Sequence, residues 1–192
     1  SFGELLSSLI IYEAMKSDDL NVQLKNSQNL ILTDSNFTNA TVNFGETNNN
    51  ICTYFNGNDK IITILPGFIS KSENGDITTL GRGGSDYTAA IIAAAMEANV
   101  LQIWTDVSGM FTTNPKIVKN AKPIKKLSYL EAIELSHFGA KVLYPPTVFP
   151  VLAKHIPLLI KNTLAPEDEG TQITSVVENR NPNPIKGISN IN

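Results

Sequence analysis

Thr78-Thr79-Leu80-Gly81-Arg82-Gly83-Gly84-Ser85-Asp86 runs straight into an apolar segment, residues 87–96, that reads as a buried helix. Glycine lets the backbone come close to a ligand. A helix N-terminus offers unpaired N–H groups and partial positive charge, which favour anions. Arginine grips a carboxylate or phosphate through two parallel hydrogen bonds. The combination predicts a site for an anionic small molecule where a loop enters a helix. The competing reading is an ordinary tight turn before a capped helix, but such a turn has no need of Arg82.

Upstream, residues 60–65 form a near-continuous apolar run of strand length, the pattern of a strand covered on both faces. Pro66-Gly67 ends it, Phe68-Ile69 carries the chain outward, and 72–76 is a turn. Farther back, 44–55 fits a helix with Phe44, Ile51, Tyr54 and Phe55 inward. Residues 30–33 and 21–25 read as extended pieces, the latter with Val22 and Leu24 on one side. Residues 1–16 carry Leu5, Leu6, Leu9, Ile10 and Ala14 at near-helical spacing, with Ser1 and Glu4 placed as a capping box and Asp18-Asp19 as the break.

Downstream, the helix continues over 87–98, and 100–105 is a second buried-type strand closing in Trp104-Thr105-Asp106. Residues 107–116 hold Gly109 and Pro115 and form no single regular element. Ser128 with Glu131 opens a helix over 128–137, and Gly139 stops it. Pro145-Pro146 opens another through Leu152, and 156–160 is a further strand. This alternation predicts an α/β fold, a mostly parallel sheet with helices on both faces. Ligands in such folds collect at the carboxyl ends of strands, here Leu65-Pro66-Gly67 and Thr105-Asp106.

Composition narrows the classes. Of 192 residues 42% are hydrophobic and 17% charged, as in a globular domain, and the net charge of −3 gives no bulk attraction to nucleic acid or anionic membrane. No apolar run approaches the roughly 20 residues of a membrane span. Cys52 stands alone, which fits a cytoplasmic protein, and reads as core filler rather than a nucleophile. His137 and His155 lack ligand spacing, so no metal site is expected on the protein's own side chains. Neither a Walker-type loop nor a Gly-x-Gly-x-x-Gly fingerprint is present, which argues against a dinucleotide-dependent oxidoreductase. Two other stretches stay open on their residues alone. Thr105-Asp106-Val107-Ser108-Gly109 either caps the next element or contacts a purine or ribose. Lys141, in Phe138-Gly139-Ala140-Lys141-Val142-Leu143, either meets phosphate or pairs with a helix C-terminus.

Taken in order, Gly81-Arg82-Gly83-Gly84-Ser85-Asp86-Tyr87, Trp104-Thr105-Asp106-Val107, Phe111-Thr112-Thr113-Asn114-Pro115 and Phe138 to Leu143 resemble the kinase domain of aspartokinases, in the amino acid kinase family. Ser1-Phe2-Gly3-Glu4 resembles the family's helix start. Ile156 to Thr163, Gly170-Thr171 and Lys186 to Asn190 resemble the bifunctional aspartokinase–homoserine dehydrogenases. The resemblance implies the three-layer α/β/α sandwich of the carbamate kinase-like type. It implies a kinase domain over 1–175, N-terminally incomplete, with 176–192 a linker toward a regulatory domain.

It also implies transfer of the ATP γ-phosphoryl to the β-carboxylate of L-aspartate, the first step toward lysine, threonine and methionine. Mg²⁺ would be held mainly by ATP oxygens, and the parent protein would be a cytoplasmic homo-oligomer. By resemblance Arg82 clamps a substrate carboxylate beside Gly83, Gly84 and Ser85. Glu4 faces the substrate ammonium, and Asp86 organises the reacting groups. Thr105, Asp106, Phe111, Lys116, Lys141 and Val142 match nucleotide positions. Phe111, Asn114 and Tyr144 depart from the Tyr, Asp and His common in relatives, which bears on nucleotide affinity. The family's Lys-Phe-Gly-Gly-Thr-Ser motif is not in the sequence, so little or no activity is expected from this chain alone. The alternatives are a kinase for acetylglutamate, glutamate or UMP, and a non-catalytic nucleotide-binding module.

Overall fold

The computed structural model describes residues 2–57, 61–115, 117–138, 142–175 and 185–188. Expectations that fall on Ser1, Lys60, Lys116, Gly139, Lys141 and most of 176–192 lie outside these residues. The chain divides into two compact units, Ser1–Met96 and Glu97–Asn192.

The first unit opens with helix α1, Phe2–Ser17. Asp19 ends it in the left-handed region, φ 56°, and Leu20 N–H reaches back to the Met15 carbonyl at 3.2 Å. That is the helix stop Asp tolerates better than most side chains. Leu5, Leu6, Leu9 and Ile10 are all exposed, and of α1 only Ser8 is buried. Helical spacing was legible there, but it did not tell whether anything packs on the face.

Strand β1, Val22–Leu24, pairs parallel with β3, Ile62–Ile64. This two-stranded pairing leaves Ile62 exposed, so the apolar run at 60–65 is not covered on both faces. Strand β2, Leu32–Thr33, lies parallel to β4, Ile69–Ser72, which turns through 72–76 into antiparallel β5, Ile77–Thr79. The predicted turn is present, but Ile69 does not lead outward: it starts a hairpin strand, fully buried. Helix α2, Phe44–Phe55, is capped by the Asn43 side chain, which accepts from Glu46 N–H at 3.3 Å. Helix α3 spans Gly84–Ala95.

Leu30, Ile31, Val42, Ile51, Leu80 and Ile91 form the core of this unit, with Tyr54, Phe55 and Tyr87 packed against it. Two expectations for α2 are corrected: Phe44 is exposed, and so is Cys52. The inward stripe runs Thr47–Ile51, and Cys52 sits one residue, about 100°, around the helix from Ile51. The sheet carries a buried hydroxyl relay. Thr78 Oγ1 lies 2.6 Å from Thr33 Oγ1 and 2.9 Å from Ser70 Oγ, tying β2, β4 and β5 together through side chains.

In the second unit β6, Leu101–Thr105, β7, Lys126–Ser128, β8, Leu158–Asn162, and β9, Thr171–Thr174, form a sheet in the order β6-β8-β9-β7. β6 runs parallel to β8, β7 parallel to β9, and β8 antiparallel to β9. Leu101, Ile103, Leu127, Leu158, Ile160 and Ile173 are buried, whereas Gln102 and Trp104 are exposed. The 100–105 strand is therefore half-buried with period two, not covered on both faces.

Helix α4, Tyr129–Phe138, starts with the expected capping box: Ser128 N–H donates to Glu131 Oε2 at 2.7 Å and Glu131 N–H to Ser128 Oγ at 3.3 Å. The buried Tyr129 hydroxyl donates to the Ile156 carbonyl, and burial pushes its phenol up to about 12. Pro145–Val148 is a 3₁₀ turn leading into α5, Phe149–Ala153. The alternation thus resolves into an α/β fold in which parallel pairings predominate.

Ile160 is fully buried on β8. Ile160→Ala is expected to cost about 2–5 kcal/mol of stability, whereas Gln102→Ala, exposed on neighbouring β6, should stay within about 0.5 kcal/mol. Urea unfolding followed by Trp104 fluorescence checks both.

Candidate functional site

The candidate site lies at the carboxyl end of β5, in the first unit. Thr78 is pinned by the hydroxyl relay, and Leu80 N–H donates to the Phe68 carbonyl at 3.0 Å. The chain then turns through Gly81 and Gly83, with φ 73° and 68°, into α3. Gly83 is the N-cap and has no side chain with which to cap the helix. Gly84, the first helical residue, is a close-approach position: a Cβ there would lie 2.7 Å from Phe68 Cδ2. Ser85 and Asp86 lie within the first turn of α3, so the helix begins a few residues before the apolar segment 87–96.

A cavity of about 310 Å³ opens at this helix end. Glu4 from α1, Phe68, and the run from Gly81 to Asp86 line it. Every residue expected for the amino-acid substrate therefore meets at one cavity: Glu4, Arg82, Gly83, Gly84, Ser85 and Asp86. Charges of both signs border it. Arg82 and the α3 N-terminus supply positive potential. Glu4 and Asp86 supply carboxylates, and one oxygen of Glu4 is sealed from solvent. Asp86 is half-buried in the first turn of α3, and that burial raises its carboxyl above the usual carboxylate range.

Phe68 is a lining residue that sequence reasoning missed. Its φ of 71° is unusual for an aromatic residue, and such conformations gather at functional sites. Thr88 holds it there: Phe68 N–H donates to Thr88 Oγ1 at 3.0 Å, and that hydroxyl donates to the Gly84 carbonyl at 2.8 Å. The available signal was Gly67 before it, where a Cβ would lie 2.8 Å from Ser85 Cα.

The residues expected for the nucleotide belong to the second unit. Thr105 ends β6, and its hydroxyl donates to Asp106 Oδ1 at 3.2 Å. Phe111 makes a single antiparallel bridge with Pro123. Val142 is half-buried in the turn after α4, next to buried Leu143. Lys116 and Lys141 lie outside the described residues. Among the described residues no group of three His, Cys, Asp or Glu side chains could hold a metal, and no helix is long and apolar enough to cross a membrane.

Residues 1–162 match the family described as "Amino acid kinase family". The chain belongs to that family. It is 44% identical over 174 residues to a bifunctional aspartokinase/homoserine dehydrogenase of Buchnera aphidicola, covering 90% of this chain and 21% of that one. It is 40% identical over 190 residues to an aspartokinase of Rickettsia felis, covering 98% and 47%. The fold is similar to that of Escherichia coli aspartokinase III in complex with aspartate and ADP, with a TM-score of 0.86, 36% identity, and coverage of 92% and 40%. The chain spans less than half the length of each of these relatives.

The raised carboxyl of Asp86 makes stability depend on pH. Its folded-state pKa exceeds the unfolded one, so the folded protein holds more protons in that window, and stability falls as pH rises through it. Asp86→Asn is expected to raise the melting temperature at neutral pH and to lose this advantage below the usual carboxylate range. Thermal melts from about pH 3 to about pH 8 read this window.

Proposed function

We propose that the chain carries aspartate kinase chemistry: a β-carboxylate oxygen of L-aspartate attacks the γ-phosphorus of ATP, an acyl phosphate forms, and ADP leaves. The observation that carries this reading is the single cavity joining Arg82 and an uncapped helix N-terminus to Glu4 and Asp86. A dicarboxylic amino acid needs that set: cationic donors for carboxylates and an anion for the ammonium. Similarity to a protein solved with aspartate and ADP supports the same reading.

Arg82 clamps one carboxylate bidentately, which fixes the other for attack. The N–H groups of the first turn of α3 face the charge that develops there. Glu4 selects the ammonium group. Asp86, next to the reacting carboxylate, keeps that oxygen oriented. Phosphoryl transfer asks mainly for positioning and charge stabilisation, and these residues supply both.

Thr105 and Asp106 hold the nucleotide at the end of β6, with Phe111 and Val142, and with Lys116 and Lys141 by family position. Mg²⁺ is carried by phosphate oxygens and water. The second activity in the bifunctional relatives' names is assigned to no residue of this chain.

Arg82→Ala is expected to weaken L-aspartate binding by about tenfold or more, since a charged bidentate contact is lost, with ATP affinity changed less than about twofold. Calorimetric titration with each ligand measures the split. Equal loss of both would assign Arg82 a different role. Binding of UMP or acetylglutamate without aspartate would favour another member of the family.

A further inference from the structure

The loop from Thr105 to Gly109 is tied at both ends to one other loop, 162–171. Thr163 N–H donates to the Thr105 carbonyl at 2.8 Å. At the other end Gly109 lies against Thr171, where a Cβ would stand 2.4 Å from Thr171 Oγ1, and that hydroxyl accepts from Met110 N–H at 2.7 Å. In the middle, two side chains converge on Ser108. Asn162 Nδ2 donates to Ser108 Oγ at 2.9 Å, and Ser108 Oγ donates to Asp168 Oδ2. The two partners are themselves held. Asn162 Oδ1 accepts from Leu164 N–H at 2.9 Å, and Lys161 Nζ donates to the Asp168 carbonyl.

We propose that Asp168 and Asn162, acting through Ser108, are positioning residues that hold the loop 105–109 in the shape that binds ATP. The inference rests on the reading that Thr105 and Asp106 contact the nucleotide. A serine hydroxyl has one proton to give, and here it goes to a carboxylate, the stronger kind of acceptor. The accompanying amide donor fixes the hydroxyl's direction. Ser108 is thereby held from two sides, two residues from Asp106. Asp168 is exposed and adds little to the core, so its loss should loosen the loop without unfolding the unit.

The test uses Ser108→Ala, Asp168→Ala, their double variant, Asp168→Asn and Asp106→Ala, each titrated with MgATP and with L-aspartate by calorimetry and checked by thermal melting. Ser108→Ala and Asp168→Ala are each expected to weaken MgATP binding about fivefold, as for a lost charge-assisted hydrogen bond at an exposed site. Aspartate affinity and melting temperature should stay unchanged. The double variant should be no worse than either single one, because one interaction is removed twice. Asp168→Asn, whose amide oxygen still accepts, should bind MgATP nearly normally. Unchanged MgATP affinity in Asp168→Ala, or an Asp168→Asn variant as weak as Asp168→Ala, overturns the proposal. If Asp106→Ala is also without effect, or the unaltered protein binds no MgATP, the nucleotide reading itself fails; if Asp106→Ala alone weakens binding, only the positioning role does.

Discussion

The candidate site depends on a contact that tolerates no side chain. Gly84 lies so close to the Phe68 ring that a Cβ would stand at 2.7 Å. That contact seats the N-terminus of α3 on the end of the hairpin strand β4. Phe68 is held in left-handed backbone by Thr88, and Thr88 in turn hydrogen-bonds to the Gly84 carbonyl. Strand end and helix start therefore form one rigid corner. Arg82 and Asp86 project from that corner, and the uncapped N–H groups belong to it.

Charge placement follows from the same corner. The first turn of α3 carries an acidic residue, which the helix dipole favours, yet burial raises Asp86 above the usual carboxylate range. In the second unit the corresponding rigidity comes from side-chain hydrogen bonds around Ser108 and from close packing of Gly109 on Thr171.

Much of this was readable from local chemistry. The Ser128–Glu131 pair announces a helix start that is present. The glycines around Arg82 announced the turn that leads into α3. What was misread has a common cause. β5, β7 and β9 are three or four residues long, too short to show a period. Whether Ile62, Cys52 or Leu5 is covered depends on what packs over it, which a one-dimensional pattern does not record.

The sequence by itself determined the α/β class and the run from Gly81 to Asp86 as a glycine-rich turn entering a helix. Those features rest on backbone conformation and local capping, which neighbouring residues dictate. Tertiary structure alone decided that Glu4, nearly eighty residues upstream, meets Arg82 at one cavity, and that Phe68 completes its wall. It alone decided that Asp168 reaches Ser108. Such meetings depend on how strands pair and helices pack, and no local pattern encodes a distance across the fold.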